Sequence, residues 1–214
     1  MRRGRPISAE AMPISFLVVD DFLSNAEEFR ESALKLNYPH REGEYFPGRN
    51  SVEPLPIPGL DQVVSSIVQE PLRAVSPPGS HGKVRVALES EAGDWSKVHV
   101  DPAYWSGILY LTKDEDCRGG TEFFRHIPTN SHRVPDSVAG LRKMGFDNYQ
   151  ALQDQIIEKD SMDPSKWERT LTIPMLFNRL VLLRPWFWHT AGPGFGDSIE
   201  NGRLVYLMFF TRAA

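Results

Sequence analysis

The sequence predicts a single, mostly β domain with supporting helices (α+β), and three observations carry that reading. Two amphipathic helical patterns come first, at residues 24–36 and 60–68. Seven or eight short β-prone runs follow, separated by Gly, Asp and Pro signals. A helical stretch within residues 129–166 interrupts those strands, as an insertion near one rim of a β-sandwich or barrel would. The 214 residues are 41% hydrophobic and 24% charged, enough apolar material for the core of one large domain.

Taken in order, residues 1–12 open with the basic Met1-Arg2-Arg3-Gly4-Arg5-Pro6 and lack the apolar stretch of a signal peptide, so they read as a flexible arm before a domain at 13–214. Ile14–Val19 reads as a strand. Ser24 and Glu27 have the spacing of a capping box, and Phe29, Ala33 and Leu36 share one face of the helix that follows. Residues 39–59, rich in Pro and Gly, predict a long loop. Leu60, Val63, Val64, Ile67 and Val68 form a second helical stripe. Strands are expected at Lys83–Leu88, Lys97–Asp101, Trp105–Leu111 and Thr121–Arg125, and again at Trp167–Ile173, Arg179–Leu183 and Arg203–Thr211. Inside the insertion, Asp147 and Gln150 resemble a cap pair before Leu152, Ile156 and Ile157. An insertion at the rim is placed to serve as a lid.

The net charge of −4 disfavours nucleic acid as a partner, and no apolar run is long enough to span a bilayer. The lone Cys117, in a charged, glycine-flanked loop, permits no intrachain disulfide, which allows a reducing compartment without demanding one; with no signal-peptide stretch and no bilayer-length run, the cytoplasm is the default compartment.

The chemistry concentrates in a few side chains. His99-Val100-Asp101 puts an imidazole and a carboxylate at i and i+2, on one face of a strand. His189 follows the apolar run Arg179–Leu183 and the aromatic Trp186-Phe187-Trp188. Two histidines and one carboxylate are the facial ligand set that leaves positions open on Fe(II). Arg203, opening the last strand, can pair bidentately with a carboxylate, and Tyr110 can add a phenolic hydrogen bond to it. Each has a plainer reading: Asp101 as a turn residue before Pro102, His189 as a core histidine, Arg203 as an edge charge, Tyr110 as packing. His126 and His132 read as surface or substrate-rim residues. Arg125 and Asn178-Arg179 read equally as substrate contacts or solvated sheet edges.

The ordered segments HVD, GILYLTKDEDCRGGTEFF, FNRLVLLRPWFWHTAGPG and GRLVYLMFF together resemble the 2-oxoglutarate/Fe(II)-dependent dioxygenases, in particular the prolyl 4-hydroxylase-like branch. The resemblance runs over roughly residues 14–212, with nothing diagnostic in 129–166, and Val18–Ser24 shares the look of that branch. It implies a double-stranded β-helix (jelly-roll) core behind N-terminal helices. It implies His99, Asp101 and His189 as iron ligands, Arg203 as the 2-oxoglutarate-binding cation and Tyr110 as its helper. It also implies a hydroxylase using Fe(II), 2-oxoglutarate and O₂ and releasing succinate and CO₂. Arg203 reaches the co-substrate only if the loop containing Gly192–Asp197 folds back. Phe209 stands where the nucleic-acid dealkylases of the superfamily have a second arginine, and Asp101 stands where related halogenases have a small residue. Composition does not distinguish a small-molecule from a peptide substrate, nor one oligomeric state from another. Two alternatives stay open: a cupin-like metalloprotein that does not use 2-oxoglutarate, and an inactive jelly-roll binding domain.

Overall fold

The computed structural model describes residues 14–40, 48–91 and 95–213. The expected arm at 1–12 and part of the 39–59 loop lie outside them. In chain order the elements are β1 (Phe16–Val19), α1 (Ala26–Leu34), β2 (Arg49–Asn50), α2 (Leu60–Val68), β3 (Leu72–Ala74), β4 (Val84–Ala87), β5 (Trp105–Tyr110) and β6 (Gly120–His126). Then come α3 (Val138–Lys143), α4 (Tyr149–Leu152), β7 (Trp167–Pro174), β8 (Leu180–Leu183), β9 (His189–Thr190) and β10 (Arg203–Arg212).

Among the described residues two antiparallel sheets result. The larger has the order β1-β8-β5-β10-β4-β2, with β3 also paired to β10; the smaller is β7-β6-β9. Period-2 alternation divides the larger sheet. Leu109 of β5, Leu180 and Leu182 of β8 and Leu204, Tyr206 and Met208 of β10 face α1 and α2, where Phe29, Ala33, Val64 and Val68 complete one core. The intervening residues Tyr110, Val181, Leu183 and Val205 face the smaller sheet and meet its Phe123 and Ile173. This is the jelly-roll expected from the sequence, with helices backing one sheet and a cavity between the two.

Several local expectations are corrected. The Ser24 capping box does not form: α1 starts after Asn25, which makes no side-chain cap. Glu27 pairs with Lys113 instead, and Leu23 is clamped by Asn178, whose Oδ1 accepts from Leu23 N at 2.9 Å while its Nδ2 donates to Leu23 O at 2.8 Å. Lys97–Asp101 is not a strand. Val98 N donates to Ser161 O, His99 N to His189 O and Asp101 N to Pro185 O, so partners change too often for a continuous ladder, and only a bridge at His99 remains. The 39–59 loop contains β2, which pairs Arg49 and Asn50 with Val86 and Arg85. Val63 is 47% exposed, so the buried stripe of α2 is Leu60, Val64 and Val68.

Residues 129–166 do carry helices. The cap of α4 is Asn148, not Asp147: Asn148 Oδ1 accepts from Ala151 N at 2.9 Å. After α4 the backbone widens into a π-turn over Gln153–Ile157 that buries Ile156 and Ile157. With Leu152, Leu141 and Phe146 these pack on Val98, Phe124, Trp167 and Trp188. His126 is buried rather than on the surface. It is 1% exposed, with Nδ1 2.8 Å from Thr129 Oγ1 and Nε2 3.0 Å from Asp160 Oδ2. Arg125 pairs with Glu168 and Arg179 with Asp20, so both serve sheet edges. No described helix is long and apolar enough to cross a membrane.

Candidate metal centre

His99 and His189 are brought together by their own backbones. His99 N donates to His189 O at 2.9 Å and His189 N to His99 O at 3.1 Å, the reciprocal exchange of an antiparallel pair. Their rings lie 4.4 Å apart. Each ring is turned by a carbonyl two residues earlier: Nδ1 of His99 lies 3.0 Å from Lys97 O and Nδ1 of His189 2.8 Å from Phe187 O. A carbonyl only accepts, so each Nδ1 carries a proton and each Nε2 is directed at the shared space. Asp101 completes the group, with Oδ1 3.6 Å from His99 Nε2 and Oδ2 3.4 Å from His189 Nε2. One ligand atom from each of the three lies within 4.8 Å of the others, close enough to hold one metal ion.

The three groups shift one another's protonation strongly. Burial pushes the His99 imidazole down to about 4, aided by the nearby His189, which keeps it neutral as a ligand must be. Burial works against a charged Asp101, but His189 and His99 outweigh it and hold the carboxyl well below the usual range. Burial likewise works against a charged His189, and Asp101 beside it raises its pKa all the same.

The three open into a cavity of ≈ 150 Å³ walled by β4, β5 and β10. Arg203 lines the same cavity, so the loop after His189 does fold back. It is 2% exposed, and its Nε and Nη2 have no hydrogen-bond partner among the described residues. A buried guanidinium with donors unmet is costly unless an anion occupies it. Burial lowers its pKa, partly offset by Tyr110 and Glu122.

Tyr110 is placed differently. Its hydroxyl lies 2.7 Å from Thr121 Oγ1 and accepts from Thr121 N at 2.9 Å. It is not part of the cavity wall. Ser106, Arg85 and Lys97 do line the cavity and were not singled out from the sequence. For Ser106 and Arg85 a signal existed: each is a polar residue at an inward position of an alternating strand, where an apolar side chain is expected. None of the lining residues comes from 129–166; the insertion instead packs behind Val98 and Trp188, neighbours of the two histidines.

Fold and cavity together define a jelly-roll protein with a candidate His-Asp-His metal centre. By sequence, the chain belongs to a family of unknown function (DUF6445), whose profile matches residues 94–210 and so spans both histidines, Asp101 and Arg203. No curated protein matches it. Among solved structures, HygX from Streptomyces hygroscopicus, crystallised with nickel, 2-oxoglutarate and hygromycin B bound, shares the fold at 14% identity and a TM-score of 0.52, over 94% of this chain and 84% of that one. A prolyl-4-hydroxylase from Pseudomonas putida aligns over 94% of both chains at 16% identity, with a TM-score of 0.41.

Proposed function

We propose that this protein is a non-haem Fe(II), 2-oxoglutarate-dependent oxygenase that hydroxylates a small molecule or peptide. The observation that carries the reading is the buried guanidinium of Arg203, whose Nε and Nη2 have no hydrogen-bond partner among the described residues, lining the same cavity as His99, Asp101 and His189. A dicarboxylate co-substrate chelating the metal at one end would meet both donors with its far carboxylate.

His99, Asp101 and His189 hold the iron. When bound, Fe(II) with 2-oxoglutarate supplies the oxidising power to place one atom of O₂ into a C–H bond, the other leaving in succinate as CO₂ is lost. Arg203 grips the far carboxylate of the co-substrate through paired charge-assisted hydrogen bonds. Tyr110, its hydroxyl held by Thr121 outside the cavity wall, acts on this end only through its influence on the charge of Arg203. Ile108, Val205 and Leu207 make the remaining wall largely apolar, which excludes water and strengthens the Arg203 contact. With a single free cysteine, Cys117, the protein suits the cytoplasm.

Incubation with Fe(II), 2-oxoglutarate, O₂ and a cell extract tests this. Succinate should accumulate in step with a product that has gained one oxygen atom. Succinate no higher than in a chelator-treated control would refute the assignment.

A further inference from the structure

β5 lies between β8 and β10 in the middle of the larger sheet, with Ser106 opposite Leu183 on one side and Phe209 on the other. Ser106 is 2% exposed, and a hydroxyl buried that deeply needs a partner. Its Oγ donates to Asp101 Oδ2 at 2.7 Å, since a carboxylate only accepts. Apart from the imidazoles of His99 and His189 beside its carboxylate, Asp101 itself has little to orient it. It sits outside any strand, before Pro102, tied by Asp101 N to Pro185 O. Its carboxylate is therefore aimed from a rigid neighbouring strand rather than by its own backbone.

We propose that Ser106 is a positioning residue that keeps Asp101 a one-oxygen metal ligand. It engages Oδ2, which also lies 3.4 Å from His189 Nε2, and leaves Oδ1, 3.6 Å from His99 Nε2, as the oxygen offered to the ion. This inference rests on the oxygenase reading above and gives the hydroxyl a purpose within it. Two imidazoles and one carboxylate oxygen occupy one face of a six-coordinate ion and leave three positions, enough for a chelating co-substrate and O₂. A carboxylate binding through both oxygens leaves two, and the chelate alone fills them. Ser106 protects the third position by hydrogen bonding to the oxygen that would otherwise take it.

The test uses the full chain with Mn(II) as the probe ion, comparing wild type, Ser106→Ala and Ser106→Thr by paramagnetic resonance and by the heat of binding. Ser106→Ala should bind Mn(II) about 10–100-fold more weakly, the loss typical of removing a partner that orients a metal ligand. Its resonance line shape at saturating metal should also differ from wild type, and 2-oxoglutarate should bind its Mn(II) form more weakly. Ser106→Thr keeps the hydroxyl and should restore all three, which a purely structural serine on β5 would not require. Wild-type Mn(II) affinity and line shape in Ser106→Ala would overturn the role of Ser106 and leave the oxygenase reading standing. A folded Ser106→Thr that behaves like Ser106→Ala would also overturn that role. Wild type that binds no Mn(II) would overturn both.

Discussion

Replacing Arg203 with methionine should move stability and co-substrate binding in opposite directions. In the apoprotein, two buried guanidinium donors, Nε and Nη2, lack partners among the described residues. An unmet buried polar group costs about 1–3 kcal/mol, and swapping a buried charge for an apolar side chain of similar volume commonly gains about 1–4 kcal/mol. Arg203→Met should therefore stabilise the apoprotein by about 1–4 kcal/mol. In a domain of this size each kcal/mol raises Tm by roughly 2–4 °C. With metal present the sign reverses. Each charge-assisted hydrogen bond lost is worth about 1.5–3 kcal/mol. A bidentate pair thus implies 2-oxoglutarate binding weaker by roughly a hundredfold or more. Thermal unfolding in chelator, followed by titration of the Mn(II) form with 2-oxoglutarate, measures both. An apoprotein made less stable by Arg203→Met would show that the guanidinium is already satisfied within the fold, and the reasoning would fail.

Three further outcomes follow from the same structure. Mn(II) at about a hundred times its Kd should stabilise the protein by about 2.7 kcal/mol, and Asp101→Ala should abolish that gain in a thermal-shift titration. Gly120→Ala should destabilise by about 3 kcal/mol or more in denaturant unfolding, because the new Cβ would meet Ile173 O at 1.9 Å and force β6 from β7; Gly119→Ala, strained at φ +63° but with open space around it, should cost about 1 kcal/mol. Burial lowers the pKa of His126 from its ordinary 6.5, against the pull of Asp160. The unfolded chain therefore binds more protons below about pH 6.5. Stability should fall as the pH drops from there, and His126→Gln should flatten that decline in unfolding curves taken between pH 7 and 5.

Much of this architecture is legible in local pattern. The core strands β5, β8 and β10 begin and end within a residue or so of their apolar runs, because alternation and β-branched content report burial directly. The helix faces of Phe29 and Ala33, and of Leu60, Val64 and Val68, are likewise plain. What escapes is whatever depends on distant partners. Ser24 has the spacing of a cap, yet Asn178, 155 residues from Leu23, sets how the chain meets α1. His126 looks like a loop residue because nothing nearby announces Asp160. The HxD spacing is informative for a reason other than regular strand geometry: one bridge to His189, made by reciprocal backbone hydrogen bonds, aligns the side chains. Arg203 reads in sequence either as a carboxylate-binding cation or as a strand-edge charge, and only the folded sheets show it buried, with Nε and Nη2 unmet among the described residues. Ser106 had a signal in its inward position on β5, but its partner five residues earlier lies beyond any strand and is visible only in three dimensions.

The central claim is that His99, Asp101, His189 and Arg203 form one site for Fe(II) and a 2-oxo dicarboxylate. Anaerobic titration of the apoprotein with Fe(II) and then 2-oxoglutarate tests it most directly, through the visible charge-transfer band that arises when the 2-oxo acid chelates iron. The band should saturate at one equivalent of each and vanish in His99→Ala and His189→Ala. A colourless mixture at saturating metal, or a band that persists without either imidazole, would contradict it.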